Sequence, residues 1–212
     1  MSQRPINGAR RRRTQEERSD ETRQRILDAA FRLLRERGYS EFTTAEVAKY
    51  AKVSRGALVH HYASKTLLVS AAVDYVFESA LRHGLARADA VDASDDPIQA
   101  LLDEAVVSFF SDYFYVGLDL LLAGGKNISM RERTIKVVRN YREPLEARWI
   151  QVLVDAGMDA TTADEVLWLT IDLVRGAAIR ALWRNQPDER ERYMRVWRQM
   201  VELYIEQSKL PE

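Results

Sequence analysis

The chain has 212 residues, of which 46% are hydrophobic and 30% charged, and its formal net charge is zero; this length suits one larger or two small domains with a buried core. The absence of cysteine excludes disulfides, thiol catalysis and cysteine-ligated zinc. No apolar run approaches the roughly 20 residues of a membrane span, and the charged N-terminus lacks a secretory signal, so we expect a cytoplasmic protein that does not enter a membrane.

Basic residues are concentrated at the start of the chain. Lys and Arg outnumber Asp and Glu in residues 1–65, and the reverse holds in residues 66–212. Such asymmetry suggests that the first part of the chain meets a polyanion. Residues 1–19 are polar without an apolar period, and we expect a disordered basic arm. Its run from Arg10 to Arg13 either follows the minor groove or neighbouring phosphates, or only keeps the arm soluble.

Apolar residues then recur at helical spacing from Glu21 to Arg37, and Gly38 is placed to end that helix. Thr43 and Glu46 form a capping box, which predicts a second, short helix. Ser54 is expected to cap a third helix from Arg55 to His61. Ser64 is expected to cap a fourth helix, from Lys65 to about His83.

The rest of the sequence also predicts helices. Residues 85–97 read as a linker, and no later segment has the period of two that is typical of strands. Gly124, Gly125, Gly157 and Pro187 mark helix boundaries. The predicted helices lie near residues 97–114, 116–124, 128–157, 162–185 and 187–208. We therefore expect an all-α protein of about nine helices.

Residues 43–62 read as two short helices joined by a tight turn, a helix-turn-helix. Val47, Ala48, Val53 and Leu58 can pack this pair onto the first helix. The third helix then exposes Arg55, Gly56, Val59 and His60. A helix of this size fits the major groove of DNA, where its N-terminal residues meet base edges.

At these positions the sequence resembles the TetR/AcrR family of transcription regulators. The resemblance runs without a gap from Thr22–Ala30 through Gly38-Tyr39 and Thr43-Thr44 to Val53–Leu58 and His61–Lys65. It implies a three-helix, helix-turn-helix head at residues 20–80, followed by a helical-bundle domain for ligand sensing and dimerisation at residues 81–212.

The resemblance also implies which side chains meet DNA. Thr44 resembles a phosphate contact at a helix N-terminus, and Ser54, Arg55 and Gly56 begin the recognition helix, with Arg55 the best candidate for a guanine contact. The family's backbone contacts correspond to His60, His61, Tyr62 and Lys65. Two residues depart from the family pattern. Val59 replaces a usual Tyr and leaves an apolar group for a thymine methyl, and Lys52 stands where Gly is common in the turn.

The last two long helices are the candidate dimer interface, because a palindromic operator needs two heads about 34–36 Å apart. The helix near 162–185 is apolar almost all round, and the final helix carries a long apolar stripe. The stripes either form a four-helix bundle between two subunits or serve only the core of one chain. The candidate interface residues are Trp168, Val174, Ala178, Leu182, Tyr193, Trp197, Met200, Val201 and Tyr204.

Aromatic residues in the body predict a cavity for an apolar or aromatic small molecule. Asp172 and Arg175 interrupt an apolar helix and either pair with each other or anchor a polar group of the ligand. The other candidate pocket residues are Phe109, Phe110, Tyr113, Phe114, Trp149 and Trp168.

The sequence therefore predicts a homodimeric repressor that a small-molecule effector releases from a palindromic, double-stranded DNA operator. We expect no cofactor, no metal and no enzymatic activity. Two alternatives remain at this point. One is a DNA-binding regulator that senses a protein partner or nothing. The other is a helical enzyme that uses His60, His61 or Asp172 as an acid–base group, but no nucleophile–base pattern or phosphate loop accompanies them.

Overall fold

The computed structural model describes residues 14–92, 96–123 and 128–208, and the basic run from Arg10 to Arg13 lies outside them. In the described residues all regular structure is helical, which confirms the all-α prediction. The helices in chain order are α1 (Gln15–Glu41), α2 (Thr44–Tyr50), α3 (Arg55–His61), α4 (Lys65–Asp89), α5 (Pro97–Phe109), α6 (Asp112–Ala123), α7 (Ile128–Asp155), α8 (Ala160–Ala181) and α9 (Pro187–Ser208).

Helix α1 begins inside the segment that was expected to be a disordered arm. Thr14 and Glu17 form a reciprocal capping box: the Glu17 amide donates to Thr14 Oγ1 over 3.1 Å, and the Thr14 amide donates to Glu17 Oε2 over 2.8 Å. Because this box satisfies two of the amides at the helix start, residues 15–19 are helical and the predicted arm is wrong for them. At the other end, Gly38 adopts a φ of 70° and interrupts the helix, as predicted.

The head consists of α1, α2 and α3 packed around one apolar cluster. Ile26, Ala30 and Leu33 of α1 are fully buried, and Val47 of α2 and Leu58 of α3 pack into the same core. These contacts confirm the predicted inward faces of the first three helices. Burying each valine, leucine or isoleucine side chain stabilises the head by about 1.5–3 kcal/mol.

Helix α4 extends further than the sequence indicated. It runs without a break to Asp89, so the predicted linker at residues 85–97 is wrong in its first part, and the predicted domain boundary after residue 80 falls inside a helix. The prediction failed because this stretch is rich in polar residues. Ala88 is buried, Arg87 pairs with Glu104, and Arg148 of α7 donates to Asp89 over 2.6 Å. One rigid helix therefore connects the head to the body.

The body is a bundle of α4 to α9. The helix predicted near residues 97–114 ends at Phe109, and the next begins at Asp112, because Ser111 Oγ donates to the Ser108 carbonyl over 2.6 Å and turns the chain. The core lies where α4, α5, α7 and α8 meet. In the described residues no single helix is long and apolar enough to cross a membrane, although the bent pair α5 and α6 together meets that criterion by length and composition.

Candidate DNA-binding surface and ligand cavity

The exposed face of α3 carries the residues that the sequence assigned to base contacts. Ser54 caps the helix, since its Oγ accepts the Ala57 amide over 3.1 Å. Leu58 turns inward, while Arg55, Gly56 and His60 are exposed. Val59 is 59% exposed. A short capped helix with one arginine, one glycine and one exposed valine on its outer face suits the floor of the major groove.

The turn before α3 fixes the angle between the two short helices. Lys52 has a φ of 54°, the left-handed conformation that glycine adopts at no cost, and the Val53 amide donates to the Ala48 carbonyl over 3.0 Å. Thr44 lies in the first turn of α2 and is half-exposed, behind the Thr43 cap. Its hydroxyl and the helix N-terminus are thus on the surface, as the expected phosphate contact requires.

Tyr62 and Lys65 have structural roles that the sequence did not predict. The Tyr62 side chain is buried, and its hydroxyl accepts a hydrogen bond from Arg23 Nε over 3.3 Å. Lys65 Nζ donates to the Tyr39 carbonyl over 2.8 Å and lies 4.2 Å from the centre of the Tyr39 ring. Burial lowers the pKa of Lys65. Both side chains therefore help to hold the head together, and because they are engaged within the chain we no longer expect them to be contacts to the DNA backbone.

His60 and His61 stack edge to face, with their ring centres 5.6 Å apart. His60 is exposed and His61 half-buried, and His61 also approaches the Tyr62 ring. Within the described part of the chain, no group of three His, Cys, Asp or Glu side chains is arranged to hold a metal ion.

The head is attached to the body at the point where Gly38 interrupts α1. The Tyr39 amide, freed by that interruption, donates to Asp119 Oδ2 of α6 over 2.8 Å. A side chain on Gly38 would place its Cβ only 3.3 Å from the same oxygen. Since the Tyr39 carbonyl accepts from Lys65 at the start of α4, one residue ties α6, α1 and α4 together. We call Asp119, Tyr39 and Lys65 the junction.

The body contains a partly open cavity of about 430 Å³ between α4, α5, α6, α7 and α8. Among the predicted pocket residues, Phe109, Tyr113, Phe114, Trp168 and Arg175 line it. Three predicted residues do not line it. Phe110 packs under Arg190, whose guanidinium lies 4.3 Å from the ring centre, Trp149 is buried behind the cavity, and Asp172 pairs with Arg175. The side chains that line it otherwise are mostly apolar, including Phe77, Leu118, Leu121, Ile135, Val138 and Ile179.

Sequence reasoning missed the polar wall of this cavity. Tyr141 and Ser108 line it, and their hydroxyl oxygens are 3.1 Å apart. Burial, and then the neighbouring Tyr113, raise the pKa of Tyr141 well above its ordinary value, so this phenol stays protonated. Helical spacing could not predict that Tyr141 faces the cavity, because α7 is polar over much of its length and contains Pro144.

The arginines around the cavity are all paired with carboxylates. Arg142 donates to Glu146 over 2.9 Å, and both side chains are largely buried. Arg139 and Glu143 form a more exposed pair at 3.2 Å, and Arg175 pairs with Asp172 as the sequence allowed. No cation on this wall, among the residues described, faces the cavity without a counter-charge of its own.

The predicted dimer residues divide into two groups. Val174, Ala178 and Val201 are buried within the chain, and Trp197 Nε1 donates to Thr170 Oγ1 over 2.9 Å, so these four belong to the intrachain core. Tyr193 is half-buried under Arg180. The exposed predicted residues are Trp168, Leu182, Met200 and Tyr204, and the structure adds Leu169, Ile179, Trp183, Val196 and Leu203 as exposed apolar side chains.

These exposed residues make α8 and α9 an apolar outer surface. Trp183 is 73% exposed, and Gly176 is exposed, with open space around the position that a Cβ would occupy. Contiguous apolar surface of this kind marks an interaction site, and a glycine there lets another helix approach closely.

Known proteins share both the head and the overall fold. Residues 26–72 match the model for bacterial regulatory proteins of the tetR family. The HTH-type transcriptional regulator CymR of Pseudomonas putida is 37% identical over 193 residues, which cover 91% of this chain and 94% of that protein. The HTH-type transcriptional regulator TtgR, also from Pseudomonas putida, is 40% identical over 87 residues, or 41% of this chain and 40% of its own length.

Solved structures agree with these relatives. A TetR transcription regulator from Haloarcula marismortui has a TM-score of 0.62 and 25% identity, over 89% of this chain and 98% of that one. The multidrug binding protein EbrR, solved with imidazole, has a TM-score of 0.58 and 23% identity over 84% and 93% of the two chains. With the helix-turn-helix geometry and a relative that matches along nearly the whole chain, this protein belongs to the TetR family of DNA-binding transcription regulators.

Proposed function

We propose that the protein is a homodimeric repressor that leaves its operator when a small apolar or aromatic effector enters the cavity of the body. The observation that supports this proposal most directly is that one helix, α4, connects the cavity to the head. Phe77 of α4 lines the cavity, and the same helix begins at Lys65, separated from the end of α3 by a short turn. A ligand that fits better when α4 is tilted would shift the population away from the DNA-binding arrangement.

On the DNA side, the proposed contacts come from α2 and α3. Thr44, His60 and His61 would meet phosphates, and Ser54, Arg55, Gly56 and Val59 would face the bases. Phosphate contacts set the orientation, whereas Arg55 and Val59 supply the sequence preference. Such a regulator would act on chromosomal DNA in the cytoplasm.

The proposed dimer uses the apolar outer surface of α8 and α9. Its exposed tryptophans, leucines and Met200 would be covered by the same surface of a second subunit, because a twofold interface is self-complementary. Two heads would then face successive major grooves on one side of a palindromic site. The proposal includes no catalytic step, and the carboxylate of Asp172 is paired with Arg175 rather than with a histidine.

An in-vitro selection of duplexes from random sequence, followed by titration of the selected duplex, tests this function. We expect a palindromic consensus, two chains per duplex, and release of the duplex by at least one member of a library of small aromatic compounds. A selected duplex whose affinity no compound changes would favour a regulator without a small-molecule effector. Failure to select any sequence would contradict the proposal as a whole.

A further inference from the structure

A hydrogen-bond chain runs from the exposed Arg87 into the core and ends at the cavity. Arg87 Nε of α4 donates to Glu104 Oε2 over 2.5 Å, and Ser108 Oγ donates to Glu104 Oε1 over 2.8 Å. The Ser108 hydroxyl is in turn 3.1 Å from that of Tyr141. Glu104, Ser108 and Tyr141 are all buried, and the last two line the cavity.

The direction of every bond in this chain follows from counting protons. A carboxylate paired with an arginine accepts only, and each hydroxyl has one proton to donate. Ser108 gives its proton to Glu104, so the bond between Ser108 and Tyr141 requires Tyr141 to donate. The Tyr141 oxygen is then left with lone pairs alone. Tyr113, which also hydrogen-bonds it, can occupy one of them, and toward a molecule in the cavity the Tyr141 oxygen can only accept.

The arginines near the cavity are less available to an anionic ligand than the Tyr141 oxygen is to a hydrogen-bond donor. Arg142, Arg139 and Arg175 are each engaged by a carboxylate of the same chain. An anionic ligand would have to compete with these carboxylates, and near Arg142 it would bring a second negative charge close to the largely buried Glu146. A neutral molecule meets no such cost.

We propose that the cavity takes a neutral, mainly apolar molecule that carries one O–H or N–H group, for which an alkylphenol is the simplest example, and that this group donates to the hydroxyl oxygen of Tyr141. This inference rests on the proposed function and names the chemical class of its effector. The aromatic side chains at Phe77, Phe109 and Phe114 cover the apolar part of the molecule.

Three matched probes test this inference by calorimetry on the purified full chain: 4-propylphenol, its methyl ether 4-propylanisole, and 4-propylbenzoate. The ether keeps the shape but loses the donor, and the benzoate replaces the donor with an anion. We expect the phenol to bind about tenfold more tightly than either, as one hydrogen bond of about 1.4 kcal/mol would give. Equal or tighter binding of the ether or the benzoate, or no binding of the phenol, would overturn the inference.

Variants locate the donor's partner. Tyr141→Phe is expected to lower the affinity for the phenol to that for the ether and to leave the ether unchanged. Tyr113→Phe, which alters the other cavity phenol, should keep the preference. Tyr115→Phe is a matched control outside the cavity, since the Tyr115 hydroxyl donates to the Ala178 carbonyl over 3.2 Å. If the preference for the phenol survives Tyr141→Phe, or is lost only in Tyr113→Phe, then Tyr141 is not the acceptor of the ligand's hydrogen bond.

Glu104→Gln tests the direction of the chain itself. A glutamine can accept from Arg87 through its oxygen and donate to Ser108 through its amide, which frees the Ser108 proton for Tyr141 and the Tyr141 proton for the cavity. We expect the preference to shift toward the ether in this variant. An unchanged preference for the phenol in folded Glu104→Gln protein would contradict the proton count. Operator binding without ligand is measured on the same samples. If the natural chain does not bind its operator, the proposed function is contradicted. If only the order of the three probe affinities is wrong, this inference alone is contradicted.

Discussion

Replacing Asp119 by alanine tests whether the junction holds the head on the body. The Asp119 carboxylate accepts the Tyr39 amide that the Gly38 break leaves without a helical partner. Tyr39 is only half-buried, so water can satisfy part of the lost bond. A hydrogen bond to a charged acceptor contributes about 1.5–3 kcal/mol, and we expect Asp119→Ala to lower the free energy of unfolding by about 1–2 kcal/mol.

Asp112→Ala on the same helix is the matched control. Asp112 also bonds α1, through an ion pair of 3.0 Å with Arg35, but both side chains are about half-exposed, and such pairs contribute about 0–1 kcal/mol. Urea denaturation at one fixed protein concentration compares the two, because a dimer's stability depends on concentration. Asp119→Asn retains an acceptor oxygen and should recover most of the loss. Equal effects of Asp119→Ala and Asp112→Ala would refute the reasoning.

Three further expectations concern the turn, the recognition helix and pH. Lys52→Gly should stabilise the protein by about 0.5–1 kcal/mol in thermal unfolding, because a left-handed lysine is strained; a decrease would contradict this. Arg55→Ala should weaken operator binding by about 1–3 kcal/mol and relax the sequence preference at one base pair. Lys65→Ala should instead lower the free energy of unfolding and leave the salt dependence of operator binding unchanged. The opposite pattern in DNA titrations would contradict the assignment of Arg55 to DNA and Lys65 to the fold. Burial, and then the nearby Glu78 carboxylate, raise the pKa of Asp74. Ionising Asp74 at a pH above its raised pKa therefore lowers the free energy of unfolding. Asp74→Asn should be more stable than the natural chain near pH 7, with the difference closing below about pH 4; a constant difference would exclude this cause.

Capping motifs and apolar spacing were sufficient to predict the head. Thr43, Ser54 and Ser64 cap the helices that they were expected to cap, and Val47 and Leu58 turn inward. These signals are local, since a cap acts within one turn and an apolar stripe within one helix. The same rule applied at Thr14 and Glu17 would have predicted the true start of α1.

Contacts between distant helices could not be predicted in this way. Tyr62 and Lys65 were assigned to DNA because the resemblance placed them there, but Arg23 and Tyr39, each more than 25 residues away in the chain, engage them. The apolar stripes of the last two helices did not separate core from surface for a related reason. Spacing identifies an apolar face, and Val174 and Trp168 both belong to apolar faces of α8, yet only packing decides which face the chain covers itself.

The cavity wall shows where sequence patterns end. Glu104 appears in the sequence as an ordinary helix carboxylate, and nothing local distinguishes it from exposed Asp103. Its role depends on Arg87 from α4 and on Ser108 from its own helix, together with Tyr141 from α7. Three helices must assemble before the polar end of the cavity exists.

Fluorescence anisotropy of a selected palindromic duplex with the full chain at moderate salt tests most directly whether α3 reads a specific DNA sequence as part of a dimer. We predict saturation at two chains per duplex and at least a thousandfold weaker binding to a scrambled duplex of the same composition. Equal affinity for the two duplexes, or saturation at one chain, would contradict this role of α3.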